Sequence, residues 1–146
     1  MPSSPRVLEQ RLYATTAIAT GGRDGRVTTT DGTLDLVVKL PPALGGPAPA
    51  GATNPEQLFA AGYAACFGSA VAHVARTQKL TTGPVHIAAT VALGPEGGSF
   101  GLAVELVATI PELPRAAAEA LVHAAHEVCP YSKATRGNIV VDVRVA

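Results

Sequence analysis

The stretch NPEQLFAAGYAACF, residues 54–67, contains the strongest helix signal in the chain. Asn54 is a favourable N-cap, Pro55 suits the first helical turn, and Gln57 completes a capping box. Over residues 54–79 small or apolar side chains occupy almost every helical face, and a helix that is apolar all round is a buried one. The sequence therefore predicts a central buried helix around which the rest of the chain folds.

Two hairpins are predicted before this helix. A Thr- and Ala-rich strand over residues 13–20 leads through a glycine-rich turn, residues 21–25, into a strand over residues 26–30. An Asp-Gly turn then precedes a strand over residues 33–40 with alternate apolar side chains. Residues 41–53 are rich in Pro, Gly and Ala, which predicts a connector without regular structure.

A further hairpin, a second helix and a last strand are predicted after the central helix. Residues 84–93 and 102–110 alternate in polarity on either side of a glycine-rich turn. A helix over residues 113–128 is ended by Pro130, and residues 138–145 form the last strand. The predicted apolar stripe of this second helix is Ala117, Leu121, Ala125 and Val128. Antiparallel hairpins grouped around two helices indicate an α+β fold.

Length and composition limit the possible classes of protein. A chain of 146 residues suits one domain, residues 1–146, with a core that needs no disulfides. It is 47% apolar with a formal net charge of zero, which argues against a nucleic-acid-binding surface. The sequence resembles neither a signal peptide nor a membrane span. We therefore expect a cytoplasmic protein that binds neither nucleic acid nor membranes.

The two cysteines are the first candidates for chemistry. Cys66 lies within the predicted central helix, where a thiol is commonly a packing residue. Two cysteines without a CxxC spacing cannot form a zinc site by themselves. Cys129 lies in the polar segment EVCPYSKATRGN, residues 127–138, and a resolving thiol in such a segment can swing towards an oxidised partner. The spacing leaves open whether the two sulfurs meet.

The histidines do not indicate a metal site. His123 and His126 are one helical turn apart, but two ligands are too few, and HAAHE is not the HExxH pattern. All four histidines are expected at the surface: His73, His86, His123 and His126. Tyr63, one turn before Cys66, and Tyr131 suit either a pocket lining or aromatic packing.

Three segments together resemble the organic hydroperoxide resistance proteins, the Ohr branch of the Ohr/OsmC superfamily of thiol peroxidases. They are ATGGRDGRV (residues 19–27), TNPEQLFAAGYAACF (53–67) and HEVCPYSKATRGNI (126–139). The resemblance covers the chain from about residue 12 to its C terminus. A peroxiredoxin does not fit, because Tyr63 stands where that family has a Thr. An OsmC-like peroxidase with a different peroxide preference and a non-catalytic thiol redox sensor are the alternatives.

The resemblance implies a role for four residues. Cys66 matches the peroxidatic thiol, and Cys129 matches the resolving thiol. Arg23 matches the active-site arginine, and Glu56 matches the carboxylate that holds it. Taken without the resemblance, these two charges have an ordinary explanation, since an arginine in a turn is commonly solvated and a carboxylate in a first helical turn favours the helix dipole.

The resemblance also implies an assembly and a reaction. The fold would be OsmC-like, in an intertwined homodimer with its two sites at the subunit interface. The enzyme would reduce alkyl and fatty-acid hydroperoxides to alcohols in the response to oxidative stress. A lipoyl dithiol, carried by a lipoylated protein, would be the external reductant, and no bound cofactor would be needed.

Elementary chemistry makes sense of these residues. A thiolate, rather than a thiol, attacks a peroxide oxygen, and a guanidinium is expected to lower the pKa of Cys66 by roughly two units, or about 2.7 kcal/mol. This raises the thiolate fraction only about tenfold. The larger expected contribution of Arg23 is therefore stabilisation of the departing alkoxide.

The position of Glu56 creates a geometric difficulty. A straight helix would separate Glu56 from Cys66 by about 15 Å along its axis. We therefore predict a break or kink near Gly62, which would fold Glu56 back towards the thiol and place Cys66 near a new helix N terminus. Preference for organic peroxides is expected from apolar side chains around Cys66. The candidates for this lining are Leu58, Phe59, Phe67 and Phe100.

Overall fold

The computed structural model describes residues 4–47 and 49–146. They form two compact units that divide between Asn54 and Pro55. The first unit is a β-sheet, and the second combines a sheet with helices, so the predicted α+β class is confirmed. The prediction of one domain over residues 1–146 stays a prediction.

The first unit is a three-stranded antiparallel sheet in the order β1-β2-β3. Its strands are β1 (Ala17–Thr20), β2 (Gly25–Thr29) and β3 (Asp35–Val38). In the turn between β1 and β2, Gly21 and Gly22 have φ angles of 81° and 58°. Glycine adopts these values without the steric cost that a Cβ would bring. Arg23 follows directly in this turn.

Two strands of this unit, β1 and β3, are shorter than predicted, whereas β2 has the predicted length of five residues. β2 pairs with β1 only over Ala17–Thr20, and the chain turns immediately after Thr29. Residues 13–16 therefore lie outside β1, and the Tyr13 side chain is exposed. The exposed Leu34 likewise lies outside β3.

The connector contains more regular structure than its composition predicts. A single 3-10 turn forms at Pro42–Leu44. At the other end of the connector, the Thr53 amide donates to the Val37 carbonyl at 2.8 Å, and the Lys39 amide donates to the Thr53 carbonyl at 3.0 Å. These two bonds tie the end of the connector to β3.

The sheet of the second unit has the order β4-β5-β6. β4 (His86–Glu96) and β5 (Ser99–Thr109) form an antiparallel hairpin around Gly97 and Gly98. β6 (Val141–Val145) pairs with β5 in parallel, which departs from the purely antiparallel sheets of the prediction. The reason is that helices connect β5 to β6, and such a crossover returns the chain in the same direction.

The helices of the second unit are α1 (Pro55–Thr77), α2 (Arg115–Val128) and α3 (Pro130–Thr135). The first two confirm the predicted helices, with ends that differ by at most two residues. The sequence prediction missed α3, because six residues are too few to show a helical period. In α2 the predicted stripe holds at Leu121 and Ala125, whereas Val128 at the end of the helix is exposed.

The core of the second unit lies between α1, α2 and one face of the sheet. The predicted alternation in β5 holds, since Val104, Leu106 and Ala108 are buried. The largest fully buried side chains of this core include Tyr63, Phe67, Val71, Leu106, Leu121 and Val122. Each such large apolar side chain contributes about 1.5–3 kcal/mol relative to an exposed one.

The α1 helix is buried on one face. Tyr63, Phe67 and Val71 point into the core, whereas a stripe at four-residue spacing is exposed: Ala61, Ala65, Ser69 and His73. Composition alone predicted burial on every face. In the part of the chain that the structure describes, α1 alone is long and apolar enough to cross a membrane. A core helix passes the same test, and α1 packs against β4 and α2 as a core helix does.

Candidate active site

Cys66 lies in the middle of α1, which runs without interruption from Pro55 to Thr77. The predicted break near Gly62 is therefore wrong. Glycine has a packing role at this position, because a Cβ built on Gly62 would stand 2.9 Å from the hydroxyl oxygen of Tyr131. The ring of Tyr131 thus lies against the backbone of α1, one turn before Cys66.

Cys129 joins α2 to α3 in an extended conformation, with φ −62° and ψ 124°. The following Pro130 disfavours helical geometry at this residue, as predicted. The amide of Cys129 donates to the Ala125 carbonyl, and the carbonyl of Cys129 accepts from the Lys133 amide, both at 2.9 Å. The side chain is completely buried. The polar sequence around Cys129 indicated a segment ill-suited to a core thiol, and this was wrong: one extended residue between two helices turns the side chain into the core.

The structure brings the two thiols together. The sulfur atoms of Cys66 and Cys129 are 3.6 Å apart, and both cysteines are free. A disulfide needs a sulfur–sulfur distance of about 2.05 Å, so a closing movement of about 1.5 Å is sufficient. Cys66 is partly buried and Cys129 is fully buried, which leaves Cys66 as the thiol that solvent and small molecules can reach.

The surroundings of Cys66 favour its neutral form in the resting protein. Burial raises the pKa of the Cys66 thiol, the backbone amide of Tyr131 donates to the sulfur and lowers it, and the neighbouring Cys129 thiol raises it. The net direction is upward, and the lowering expected from the guanidinium of Arg23 stays a prediction. The helix whose first turn meets the sulfur is α3, and not a second segment of α1 as the kinked helix would have required.

Three aromatic rings lie beside this site. Phe59 and Tyr63 meet edge to face with ring centroids 6.1 Å apart, and Tyr131 lies 5.6 Å from Tyr63. Phe59 and Tyr131 also border a cavity of about 330 Å³. The other residues that line this cavity are Leu102, Ala134, Thr135, Asn138 and Ile139.

Of the four predicted lining residues, only Phe59 borders this cavity. Phe67 is a fully buried core residue, and Phe100 is exposed beside the β4–β5 turn. Leu58 is partly buried on α1. The spacing of apolar residues in the sequence distinguishes buried from exposed side chains. It does not distinguish a side chain of the core from one that lines a cavity.

A buried polar network adjoins the thiols, and sequence reasoning missed it. The Ser132 hydroxyl lies 2.7 Å from Nδ1 of His126 and 2.9 Å from the Tyr63 hydroxyl. The Tyr63 hydroxyl also lies 3.2 Å from the Thr135 hydroxyl. Ser132 is fully buried. The polar composition of residues 127–138 was the visible trace of this network. Such a composition is equally typical of a surface segment, so it did not predict buried polar side chains.

His126 is the exception among the histidines expected at the surface. His73, His86 and His123 are exposed, whereas His126 is partly buried. Burial lowers the pKa of His126, and the positive charge of Arg136 lowers it further. Among the described residues, no group of three or more His, Cys, Asp or Glu side chains is arranged to hold a metal ion.

The two predicted charged residues occupy the predicted elements. Arg23 lies in the β1–β2 turn of the first unit, and Glu56 is partly buried in the first turn of α1. Because α1 is continuous, Glu56 and Cys66 are about 15 Å apart along its axis. The predicted approach of Glu56 to the thiol within one helix is therefore wrong. The proximity of Arg23 to Cys66 stays a prediction.

Comparison with known proteins shows the family of this chain. The model of the family described as OsmC-like protein matches residues 47–144. The organic hydroperoxide resistance protein of Xanthomonas axonopodis pv. citri is 50% identical over 139 residues, which is 94% of this chain and 97% of that protein. Organic hydroperoxide resistance protein OhrB of Bacillus subtilis is 46% identical over 136 residues, or 92% of this chain and 98% of that protein.

A solved structure gives the same result at the level of the fold. The crystal structure of an organic hydroperoxide resistance protein from Legionella pneumophila superposes with a TM-score of 0.88 and 53% sequence identity. The match covers 94% of this chain and 99% of that chain. The protein belongs to the OsmC-like family, within its branch of organic hydroperoxide resistance proteins.

Proposed function

We propose that this protein is a cysteine peroxidase that reduces organic hydroperoxides to alcohols and so contributes to resistance against them. The observation that carries the proposal is the 3.6 Å separation of the Cys66 and Cys129 sulfurs. These are the only two cysteines of the chain, and they come together from positions 63 residues apart. The relatives named for organic hydroperoxide resistance support the choice of substrate class.

The proposed cycle balances in three steps. The Cys66 thiolate attacks the outer peroxide oxygen, the O–O bond breaks, and the alkoxide takes up a proton and leaves as an alcohol. Cys66 is then a sulfenic acid. The Cys129 sulfur attacks it, an S–S bond forms, and the hydroxide leaves with the Cys129 proton as water. An external dithiol reopens the disulfide and is itself oxidised to a disulfide.

The raised pKa of Cys66 indicates why a nearby arginine would be needed. Burial raises the pKa of Cys66, so a cation would assist both when the thiolate forms and when negative charge develops on the leaving oxygen. A guanidinium supplies an always-charged, planar set of donors for this purpose. We assign this role to Arg23, and the Tyr131 amide supplies a further donor at the sulfur.

The continuous α1 helix favours a second copy of the chain as the source of the supporting carboxylate. A guanidinium that contacts both groups would hold the sulfur and the carboxylate within roughly 8 Å of each other, since each contact spans about 4 Å. Within one helix these residues are about 15 Å apart, and the Glu56 side chain tilts further towards the N terminus. In the proposed homodimer, Glu56 of the partner subunit is free of this restriction.

The remaining assignments follow from the family and the chemistry. The cavity beside Phe59 and Tyr131 offers apolar contacts to an alkyl or fatty-acid chain. A lipoyl dithiol on a lipoylated protein is the proposed reductant, with no bound cofactor. We propose that the protein works in the cytoplasm, where a thiol pair is kept reduced between turnovers.

The direct test is turnover with tert-butyl hydroperoxide and dihydrolipoamide. The wild-type protein should consume many equivalents of peroxide. Cys66→Ser should consume none, and Cys129→Ser should stop after about one equivalent with an oxidised Cys66. His123→Ala, an exposed residue on α2, serves as the control. Consumption of about one equivalent by the wild-type protein would indicate a redox sensor and contradict the proposal.

A further inference from the structure

The polar network around Ser132 connects three helices at the point where the two thiols meet. His126 lies near the end of α2, Ser132 and Thr135 lie in α3, and Tyr63 lies in α1. The linking distances are 2.7 Å from Ser132 Oγ to His126 Nδ1, 2.9 Å from Ser132 Oγ to Tyr63 Oη, and 3.2 Å from Tyr63 Oη to Thr135 Oγ1. The proposed reaction cycle uses none of these four side chains.

Each group in the network is satisfied by its neighbours. If Nδ1 of His126 accepts, then Ser132 donates to it and accepts from the Tyr63 hydroxyl. If Nδ1 carries the proton, the direction reverses: His126 donates to Ser132, Ser132 to Tyr63, and Tyr63 to Thr135. Thr135 can then donate to the Ser132 carbonyl, at 3.2 Å. Both patterns depend on the contact between His126 and Ser132.

That contact bridges the hinge that carries the proposed resolving thiol. Cys129 is the one extended residue between α2 and α3. His126 precedes it by three residues and Ser132 follows it by three, so their hydrogen bond closes the chain around it. Tyr131, whose amide meets the Cys66 sulfur, directly precedes Ser132. Any rotation of α3 about the hinge would therefore break the contact and move both the Cys129 sulfur and the Tyr131 amide.

We propose that His126 is a positioning residue, which acts through Ser132 to hold Cys129 within reach of the oxidised Cys66. Its effect falls on the second step, in which the disulfide competes with further oxidation of the Cys66 sulfenic acid to a sulfinic acid. The inference rests on the proposed peroxidase function and adds a residue that determines how completely the disulfide closes.

The test measures how oxidised Cys66 divides between two products. Reduced protein receives several equivalents of tert-butyl hydroperoxide without reductant, and intact-mass spectrometry counts disulfide and sulfinic acid. His126→Ala should raise the ratio of sulfinic acid to disulfide by about five- to tenfold, the factor that one lost buried hydrogen bond corresponds to. The rate at which Cys66 first consumes peroxide should change less than this ratio, because the Cys129 sulfur takes no part in the first step.

Two conservative variants separate positioning from a general loss of stability. His126→Asn places a polar atom where Nδ1 stands and should restore the wild-type ratio. His126→Gln has similar bulk but places its polar atoms one bond further out, and should behave like His126→Ala. If His126→Ala does not fold, the comparison of the Asn and Gln variants still decides. His123→Ala, three residues earlier on the same helix, should leave the ratio unchanged.

The outcomes distinguish this inference from the function on which it rests. A wild-type protein that forms no Cys66–Cys129 disulfide overturns both. A wild-type disulfide together with an unchanged product ratio in His126→Ala or His126→Gln overturns the positioning role alone. Equal ratios in the Asn and Gln variants, whatever their value, overturn it as well.

Discussion

Two opposing influences meet at the sulfur of Cys66. Burial and the neighbouring Cys129 thiol raise its pKa, and the Tyr131 amide works against them. The result is a resting thiol whose neutral form is favoured. In our proposal, the guanidinium of Arg23 would raise the fraction of Cys66 present as the thiolate when it approaches the sulfur. Burial would thus limit unwanted reactions of the thiol, and the cation would make it reactive.

The pKa of Cys66 leads to a prediction about stability and pH. Because the folded-state pKa is raised above its ordinary value of 9.0, the neutral thiol contributes stability below that pH, and the contribution is lost as the pH rises through the folded-state pKa. Under reducing conditions, the free energy of unfolding of the wild-type protein should fall more between pH 7 and pH 10 than that of Cys66→Ser. Urea unfolding at both pH values measures this. A smaller fall in the wild-type protein would instead indicate a stabilised thiolate.

Cys129 shows what sequence reasoning could and could not supply at the residue scale. Its break from helical geometry before Pro130 was predictable from steric rules alone. Its complete burial was not, because the polar residues around it gave no sign that α3 would fold back. The burial of His126 and Ser132 was missed for the same reason. Polar side chains that satisfy one another inside the protein have the composition of a surface segment.

At the scale of elements, the position of α3 explains the glycine in α1. Tyr131 of α3 packs so closely on Gly62 that a methyl group there would stand 2.9 Å from its hydroxyl oxygen and 3.2 Å from the nearest ring carbon. The sequence analysis predicted that the helix bends at this glycine. A glycine in a helix can permit either a bend or the close approach of another side chain, and the sequence does not tell which. The strands and the two long helices were predictable because their apolar periods are long. The crossover to a parallel β6 was not, because it depends on the direction of α2 and α3.

A double-mutant cycle tests this packing. Gly62→Ala should gain helix propensity of about 1 kcal/mol, less the cost of displacing the Tyr131 ring. In a Tyr131→Ala background the same change should gain the full amount, so the two effects should differ by more than about 0.5 kcal/mol. Urea denaturation of the four proteins provides the measurement, and Ala61→Gly on the exposed face is the control. Equal effects of Gly62→Ala in both backgrounds would mean that the ring does not rest on this glycine.

At the scale of the whole molecule, the continuous α1 helix is the main constraint on the proposed homodimer. It separates Glu56 and Cys66 of one chain by about 15 Å, and it leaves a stripe of small side chains exposed along its length. Motif resemblance alone could assign roles to Arg23 and Glu56, but it could not assign them to one chain or to two. The homodimer supplies the missing proximity in our proposal.

Mixed subunits provide a test of that arrangement. Cys66→Ser and Glu56→Gln homodimers should each be strongly impaired. When the two chains are denatured and refolded together, about half of the dimers are mixed, and one site in each combines an intact Cys66 with an intact Glu56 of the partner subunit. Peroxidase activity should therefore reappear, at about a quarter of the wild-type value. Activity no greater than the average of the two parents would place both residues in the same chain.

The central claim is that Cys66 and Cys129 form a redox-active pair, and disulfide mapping tests it most directly. Reduced protein treated with one equivalent of an alkyl hydroperoxide should lose two hydrogens. Proteolysis should then release one peptide pair that joins Cys66 to Cys129 within a single chain. An oxidised protein in which Cys129 stays a free thiol, or a disulfide that joins two chains, would contradict the account.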